Sequence, residues 1–351
     1  MTTTINNEHK KLNVPNLRFP EFQGEWEEYT LQDVVTFSNG KAHENCVNDD
    51  GDYILVNSKF VSTNGQVQKR VTSQLSPLHK SQFVMVMSDL PNGKALAKCF
   101  YVEEDNKYTL NQRVCSFTSN DGNVSRFLMY QINRNKYYLR FDDGINQTNL
   151  KKSEVLSCPV FIPIVREQEK IATLLCKIDE RIATQNKIID KLQSLIKGIS
   201  NKIFATIQGI EYRMGNIVTI SNGNSNVQDA VTESKDGLYP FFDRSEDIKY
   251  LPTFLFDKEA IIYPGEGAEF MPRYFRGKFA LHQRCYAIFD FKEIINAQFL
   301  YFYLKTQNSY FVRNAVGSTV PSLRLDTFQK LKVIIPPKKI QHSVSLCLSS
   351  M

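Results

Sequence analysis

The sequence predicts an α+β protein in which two homologous strand-rich domains are joined by a long coiled-coil helix. The first observation behind this prediction is an internal duplication that needs only small shifts to align. The matching segments are 34–40 with 217–223, 108–113 with 279–284 and 144–163 with 317–336. Similarity at this spacing indicates two homologous domains and not a solenoid of short repeats.

Within each copy, short β-rich runs alternate with turns, and one helical segment follows. In the first copy the runs at 53–56 and 83–87 predict strands, and 127–139 predicts a helix. The second copy repeats this order, with strands at 239–242 and 260–263 and a helix near 297–305. Each copy closes with an apolar run that ends in proline.

The second observation is an apolar seam between the copies that advances by alternating steps of four and three residues. Such a seam is typical of a coiled coil. Its members are Ile171, Leu175, Ile178, Ile182, Gln185, Ile189, Leu192, Ile196, Ile199 and Ile203. We expect a long helix that packs against a partner helix, although one amphipathic helix on a globular core is the simpler alternative.

These patterns predict the domain boundaries. Proline disfavours helix in the residue before it, so the long helix begins only after Pro163. The predicted segments are a loose terminus at 1–14, a first domain at 15–163, the spacer helix at 164–208, a second domain at 209–336, and 337–351. The last segment is serine-rich, and we expect it to be a poor helix.

The composition is that of an ordinary soluble protein. Its 351 residues and 42% hydrophobic content allow more than one core. The net charge of +6 favours a polyanionic partner only mildly, because 37 acidic residues remain. No apolar run approaches the roughly 18 residues of a membrane span, so we expect a cytoplasmic protein without membrane contact. Seven scattered cysteines predict no disulfide framework.

No residue pattern predicts an active site. The sequence PGEG at 264–267 lacks the third glycine of a dinucleotide fingerprint. Acidic clusters at 103–105 and 142–143 are the type of group that holds Mg²⁺, but neither has a counterpart in the other copy, and solvated acidic loops are commoner. His282 lies near Cys285 without the further ligands of a zinc site. We predict no metal.

Basic residues interleaved with aromatic ones are the stronger functional signal, because cations neutralise phosphates and arginine forks fit guanine edges. A solvated hairpin explains the same pattern about equally well. The candidate DNA-binding residues of the first copy are Lys59, Lys69, Arg70, Lys80 and Lys94, and those of the second are Arg244, Arg273, Tyr274, Arg276 and Lys278.

A Gln-Arg pair recurs at 112–113 and 283–284. The pair is open to two interpretations, as base-contacting side chains or as structural residues of a shared strand. Two domains that read different sequences need different base contacts, so we favour the structural interpretation.

Several motifs together resemble the specificity subunit of type I DNA restriction and modification systems. They are LRFPEF at 17–22 followed by GEW at 24–26, the Asn39-Gly40 turn, the closing blocks at 144–163 and 317–336, and the Glu167-Gln168 pair. The resemblance implies two target recognition domains that each read half of a split DNA site. The helices of that family set the half-site spacing and dock two methyltransferase subunits.

The same resemblance implies a chain that is not an enzyme and binds no cofactor. S-adenosylmethionine, ATP and Mg²⁺ would be used by the methyltransferase and the restriction/translocase subunits. The alternatives are a nuclease or methyltransferase with its own active site, and a coiled-coil scaffold that does not bind DNA.

One departure from the family concerns its second long helix, which normally runs antiparallel to the first. Here Gln341 aligns with Gln168, but Ile340 replaces Glu167 and the sequence stops at Met351. We therefore expect a truncated chain with only a remnant of the second helix. An apolar seam left without a partner favours self-association or packing against partner subunits.

Overall fold

The protein is described by a computed structural model that covers residues 13–91 and 93–351. It divides into two compact units, which meet in the chain between Thr184 and Gln185. The predicted segment 1–14 lies almost wholly outside the described residues.

Within residues 13–91 and 93–184, the first unit contains eleven strands and five short α-helices, followed by the start of a long helix. The strands are β1 Glu27–Thr30, β2 Val35–Asn39, β3 Tyr53–Val56, β4 Arg70–Val71, β5 Phe83–Val86, β6 Ser88–Asp89, β7 Cys99–Tyr101, β8 Tyr108–Leu110, β9 Val114–Ser119, β10 Thr148–Asn149 and β11 Pro159–Ile162. The helices are α1 Leu31–Val34, α2 Ser58–Ser62, α3 Ser125–Ile132, α4 Lys136–Leu139, α5 Lys152–Leu156 and α6 Val165–Thr206.

The second unit contains eight strands and four helices besides the end of α6. The strands are β12 Ile210–Arg213, β13 Thr219–Asn222, β14 Tyr239–Phe242, β15 Lys249–Leu251, β16 Phe256–Pro264, β17 Arg273–Leu281, β18 Cys285–Phe289 and β19 Lys332–Ile335. The helices are α7 Ala297–Lys305, α8 Asn308–Asn314, α9 Leu325–Lys330 and α10 Lys338–Ser349.

The two units share one topology. In the second unit a six-stranded sheet runs in the order β13-β18-β16-β17-β14-β15, with β14 and β17 parallel. The first unit has the same neighbours split over two sheets, β2-β9-β5-β7 and β4-β3-β8, with β3 and β8 parallel. The long β17 corresponds to β7 and β8 together, which an acidic loop at 102–107 interrupts. Each unit also has a separate antiparallel pair of strands, which is β1 with β11 in the first unit and β12 with β19 in the second.

Each main sheet is buried on both faces, which explains why its central strands are continuously apolar. Alternate residues of β5 belong to different cores: Phe83 and Met85 pack on the helix side, whereas Val84 and Val86 pack on the opposite side. The equivalent strand β16 divides its residues in the same way between two cores. The predicted α+β class with two homologous strand-rich domains is confirmed.

Helix α6 is one continuous helix of 42 residues, about 63 Å at the usual rise. Its start contributes Ala172 to the core of the first unit. Its end inserts Phe204 into the core of the second, where the ring lies 5.6 Å from Phe299 and 5.4 Å from Tyr303 between centroids. Between these ends the apolar seam is exposed, with Ile182 at 53% and Leu192 at 52% of full exposure.

Two local predictions are wrong. The segment 127–139 is not one helix, because α3 ends at Ile132 and α4 begins at Lys136. Arg134 between them has a positive φ of 54°, and its guanidinium donates to the Leu96 carbonyl at 3.0 Å. The serine-rich tail is also not a poor helix, since α10 spans 12 residues. Tertiary packing overrides propensity there, because α10 buries Ser345 and Leu348.

Candidate nucleic-acid interface

Two of the candidate residues on β17 have their side chains held by the protein. The Arg273 guanidinium donates to the Ser245 carbonyl and lies 5.8 Å from the Phe242 ring centre. The Tyr274 hydroxyl donates to the Glu259 carboxylate, and burial together with this bond raises the pKa of Tyr274 to about 12. Both side chains therefore stabilise the strand and its neighbouring loop.

Three other candidates of the second unit are exposed. Arg276 lies further along β17, and Arg244 lies on the loop after β14. The ammonium of Lys278 sits 4.8 Å from the centre of the Phe254 ring, which restrains the long side chain while leaving its charge at the surface. These three residues are the ones available to a polyanion.

The five candidates of the first unit are exposed on separate segments: Lys59 on α2, Lys69 and Arg70 at β4, Lys80 before β5, and Lys94 after β6. Arg70 is partly engaged, because its guanidinium donates to the Gly51 carbonyl at 3.1 Å. They form a dispersed basic surface rather than one compact site.

The second unit contains a polar cleft of about 540 Å³ that the sequence did not reveal. The charged and polar residues on its walls include Arg244, Lys249, Glu266, His282, Gln283 and Arg284. Residues 243–249 and 282–284 are far apart in sequence, and the parallel pairing of β14 with β17 brings the ends of these strands together. No local sequence pattern signals such a cleft.

Asp243 fixes one wall of this cleft. Its buried carboxylate pairs with the Lys249 ammonium at 2.7 Å and accepts the Ser245 backbone N–H at 2.8 Å. Burial alone would raise the pKa of Asp243, but the Lys249 and Ser245 hydrogen bonds outweigh it and lower this pKa. On the other wall, partial burial lowers the pKa of His282, whose Nδ1 accepts the Arg284 backbone N–H at 3.2 Å.

The repeated Gln-Arg pairs lie on tight turns and not on a shared strand, contrary to the interpretation favoured from the sequence. In each copy the residue after the pair donates its N–H to the carbonyl of the residue before it. This bond joins Val114 to Asn111 at 3.1 Å and Cys285 to His282 at 2.9 Å. The side chains of both pairs are exposed. The repeated Gln-Arg pair is visible in the sequence, but the residue types alone do not indicate a tight turn.

A Ser-Asn-Gly sequence occurs at 38–40 and again at 221–223, and it packs against the same turns. A Cβ atom at Gly40 would lie 2.0 Å from the Asn111 carbonyl oxygen, and one at Gly223 would lie 2.0 Å from that of Leu281. Only glycine permits this close approach. Each glycine therefore brings its loop directly against the strand that leads into a Gln-Arg turn.

The acidic clusters are engaged in local interactions. Glu103 pairs with Arg126, and Glu104 pairs with Lys107 at 2.6 Å. Asp143 accepts the backbone N–H groups of Ile145 and Asn146. Within residues 13–91 and 93–351, no three His, Cys, Asp or Glu side chains converge as metal ligands. None of the helices described there has the length and apolarity needed to cross a membrane.

The chain thus repeats one sheet domain, packed on both faces and carrying exposed basic loops, and joins the two copies by one long helix. Residues 23–194 and 210–350 both match the family described as type I restriction modification DNA specificity domain. The chain therefore belongs to this family. The resemblance noted in the sequence is confirmed, and so is its assignment to specificity chains rather than to enzymes.

Named relatives are specificity subunits. The chain is 29% identical over 138 residues to the type I restriction enzyme EcoDI specificity subunit of Escherichia coli, a match covering 39% of this chain and 30% of that protein. It is 26% identical over 143 residues to the putative type I specificity subunit S.MpnORF507P of Mycoplasma pneumoniae, covering 40% and 39%. The chain thus spans about a third of the length of these relatives in the matched regions.

Solved structures share the fold at low identity. The type I restriction-modification S subunit from M. genitalium superposes with a TM-score of 0.59 at 16% identity, covering 93% of this chain and 90% of that one. A structure describing complex assembly and conformational transition of the type I R-M system gives a TM-score of 0.53 at 14% identity, covering 93% and 89%.

Proposed function

We propose that this chain is the DNA-recognition subunit of a type I restriction-modification complex and reads a bipartite site. The domains at 15–163 and 209–336 would each read one half, and 337–351 would belong with the spacer helices. The observation that carries the proposal is one topology present twice, with two matches to a DNA specificity domain. Homologous domains with different loops suit two different half-sites.

Exposed cations of both units would supply phosphate contacts, which give most of the affinity without reading bases. We assign this role to Lys59, Lys69, Lys80 and Lys94 in the first unit and to Arg244, Arg276 and Lys278 in the second. Arg70, Arg273 and Tyr274 would position neighbouring loops through the bonds described above. Base reading would fall to other side chains on the loops of each unit.

The spacer helix at 164–208 would set the distance and rotational phase between the two half-sites. Its exposed stripe includes Leu174, Ile188 and Leu195 beside the predicted seam, and Arg181 and Lys202 take the equivalent heptad position elsewhere. Apolar side chains beside the seam widen the apolar face, which suits packing against more than one helix better than a strict two-position seam does. We therefore favour docking of helical methyltransferase subunits over self-association. The restriction/translocase subunits would join through that assembly.

Chemistry would reside on those partners, which would use S-adenosylmethionine, ATP and Mg²⁺ in the cytoplasm. Among the described residues, the buried carboxylate of Glu167 pairs with Arg18 and that of Asp243 pairs with Lys249. This suits a positioning role. The same reasoning counts against a self-sufficient nuclease or methyltransferase.

The proposal is tested by selecting bound molecules from a pool of random-sequence DNA duplexes with the purified full-length chain. We expect enrichment of two short fixed blocks separated by a spacer of constant length and variable sequence. A chain with Arg244, Arg276 and Lys278 all changed to Gln should lose affinity for DNA. The Arg213→Gln control on β12 should keep it. One continuous block, or no enrichment, would contradict bipartite reading.

A further inference from the structure

The two Gln-Arg turns are an exposed feature that recurs in both units. Gln112, Arg113, Gln283 and Arg284 are all exposed, and the Arg284 side chain retains 63% of its full exposure. Exposed loop residues normally diverge between duplicated domains, since packing does not constrain them. Exposed side chains that stay the same on otherwise different loops therefore indicate a task common to both domains.

Both turns are held by closely similar backbone hydrogen bonds, although the second copy has one more residue between its glycine and the second donor. In the first copy, Asn111 N–H bonds to Val56 O at 3.1 Å, Lys41 N–H to Leu110 O at 3.1 Å, and Gly40 N–H to Val114 O at 3.2 Å. The corresponding bonds in the second copy are His282 to Phe242 at 2.9 Å, Ser225 to Leu281 at 3.1 Å and Gly223 to Cys285 at 3.3 Å. Three strands and a glycine loop thus hold each turn in the same orientation on its domain.

The side chains of the pairs remain available for a ligand. Arg113 has no side-chain partner within the described part of the chain, and Gln112 donates to Glu44 at 3.1 Å. Arg284 pairs with Glu266 at 2.6 Å through one guanidinium nitrogen and lies on the wall of the polar cleft with Arg244 and Lys249. A guanidinium has five N–H donors in a planar fork, so one carboxylate leaves donors for a phosphate.

We infer that the two Gln-Arg turns are equivalent anchors for DNA phosphates, which seat both domains on the duplex in the same register. This inference rests on the proposed DNA-recognition function. Base-reading side chains must differ between domains that read different half-sites, whereas a phosphate presents the same chemistry at every step. The arginine supplies a forked cation, and the glutamine amide supplies a neutral donor beside it.

The test uses the full-length chain with Arg113→Gln, with Arg284→Gln and with both changes. Glutamine keeps a polar side chain and removes the guanidinium with its charge, and the exposed positions predict no loss of folding. Binding to random-sequence duplexes is measured over a range of salt concentrations, beside the Arg213→Gln control. We expect the slope of log affinity against log salt to become shallower by about 0.9 for each phosphate that a substitution leaves without its arginine. The control should keep the wild-type slope.

Two results would overturn the inference. One is an unchanged salt slope in the double variant. The other is a changed consensus in the half-site of the altered domain, measured by repeating the selection, because that would make the arginine a base reader. If wild-type chain binds random duplexes salt-dependently but selects no consensus, the proposed recognition function fails. In that case the salt slopes of the arginine variants still test whether the two turns bind phosphates.

Discussion

In each unit, one buried glutamine side chain joins the start of a helix to a neighbouring segment by the same two hydrogen bonds. Gln168, in the first turn of α6, accepts the Val124 backbone N–H at 2.9 Å and donates to the Pro163 carbonyl at 2.9 Å. Gln341, in the first turn of α10, accepts the Asn296 N–H at 2.7 Å and donates to the Pro336 carbonyl at 2.8 Å. One amide thereby ties a helix start to the N-cap of α3 or α7.

We expect Gln341→Ala to destabilise the second unit. The substitution removes the buried Gln341 amide and leaves the partly buried N–H of Asn296 without its partner, and such a loss costs about 1–3 kcal/mol. Chemical denaturation of the full-length chain measures the change in the free energy of unfolding. Gln193→Ala on the exposed middle of α6 is the matched control and should change it by less than about 0.5 kcal/mol. Equal effects of both substitutions would refute the role of the buried amide.

The Asp243 carboxylate predicts an acid-dependent stability of the second unit. Burial would raise its folded pKa, but the Lys249 and Ser245 hydrogen bonds lower it, so its contribution is present above the ordinary value of 3.8. The contribution is lost as the pH falls through the lowered pKa. We expect Asp243→Asn to be less stable at neutral pH and to lose less stability on acidification. Unfolding measured over a pH series tests this, with exposed Asp257→Asn as control. Parallel pH profiles for all three chains would contradict it.

At the scale of elements, α6 has ends and a middle with different roles. Core packing through Ala172 and Phe204 anchors the ends, whereas the middle exposes an apolar stripe. In proteins, most helical stability comes from packing of an apolar face rather than from helix propensity. The exposed apolar stripe is therefore the part of α6 where another protein would bind. Packing against such a partner would stabilise the middle of the helix.

We expect Ile189→Lys to abolish assembly with methyltransferase subunits without destabilising the isolated chain. Ile189 is about half exposed, so the free energy of unfolding should change by less than about 0.5 kcal/mol. A buried lysine in the assembled interface would carry a large desolvation cost. Co-purification with the partner subunits measures assembly. Ser194→Lys, on the opposite face of α6, should assemble normally, and equal loss in both variants would argue against docking through the stripe.

At the scale of the whole molecule, the defining property is one topology used twice, with one continuous helix between the copies. The copies differ where β17 of the second unit replaces β7 and β8 of the first. They agree in the parallel strand pair, the close glycine approach and the Gln-Arg turn. The two units thus share their strand arrangement, whereas the loops that would read DNA differ between them.

We expect deletion of one heptad between Ile182 and Ile196 to change the accepted spacer and leave both half-sites unaltered. Seven residues shorten the helix by about 10 Å, the rise of about three base pairs. A whole heptad nearly preserves the face of the apolar stripe. Selection from random duplexes, carried out with the wild-type chain and with the deletion variant, measures both the spacer length and the half-site sequences. Changed half-site bases with a constant spacer would refute the spacing role of the helix.

Much of the fold could be predicted because its signals are periodic and local. The heptad predicted a helix at 164–208 and the structure has Val165–Thr206, since proline and apolar spacing act within a few residues. The break at Arg134 was missed, because it depends on a bond to Leu96 that no local pattern encodes. Arg273 and Tyr274 look like free surface residues in sequence, yet bonds to distant Ser245 and Glu259 hold them.

The sequence by itself determined the duplication, the class of domain, the long helix and the family, because repeated blocks and apolar periodicity survive without coordinates. Tertiary structure alone decided which basic side chains remain free, that the Gln-Arg pairs occupy clamped turns, and that a polar cleft forms beside one of them. The physical reason is that these features arise where strands distant in sequence become neighbours. Exposure and pairing depend on that proximity and not on residue type.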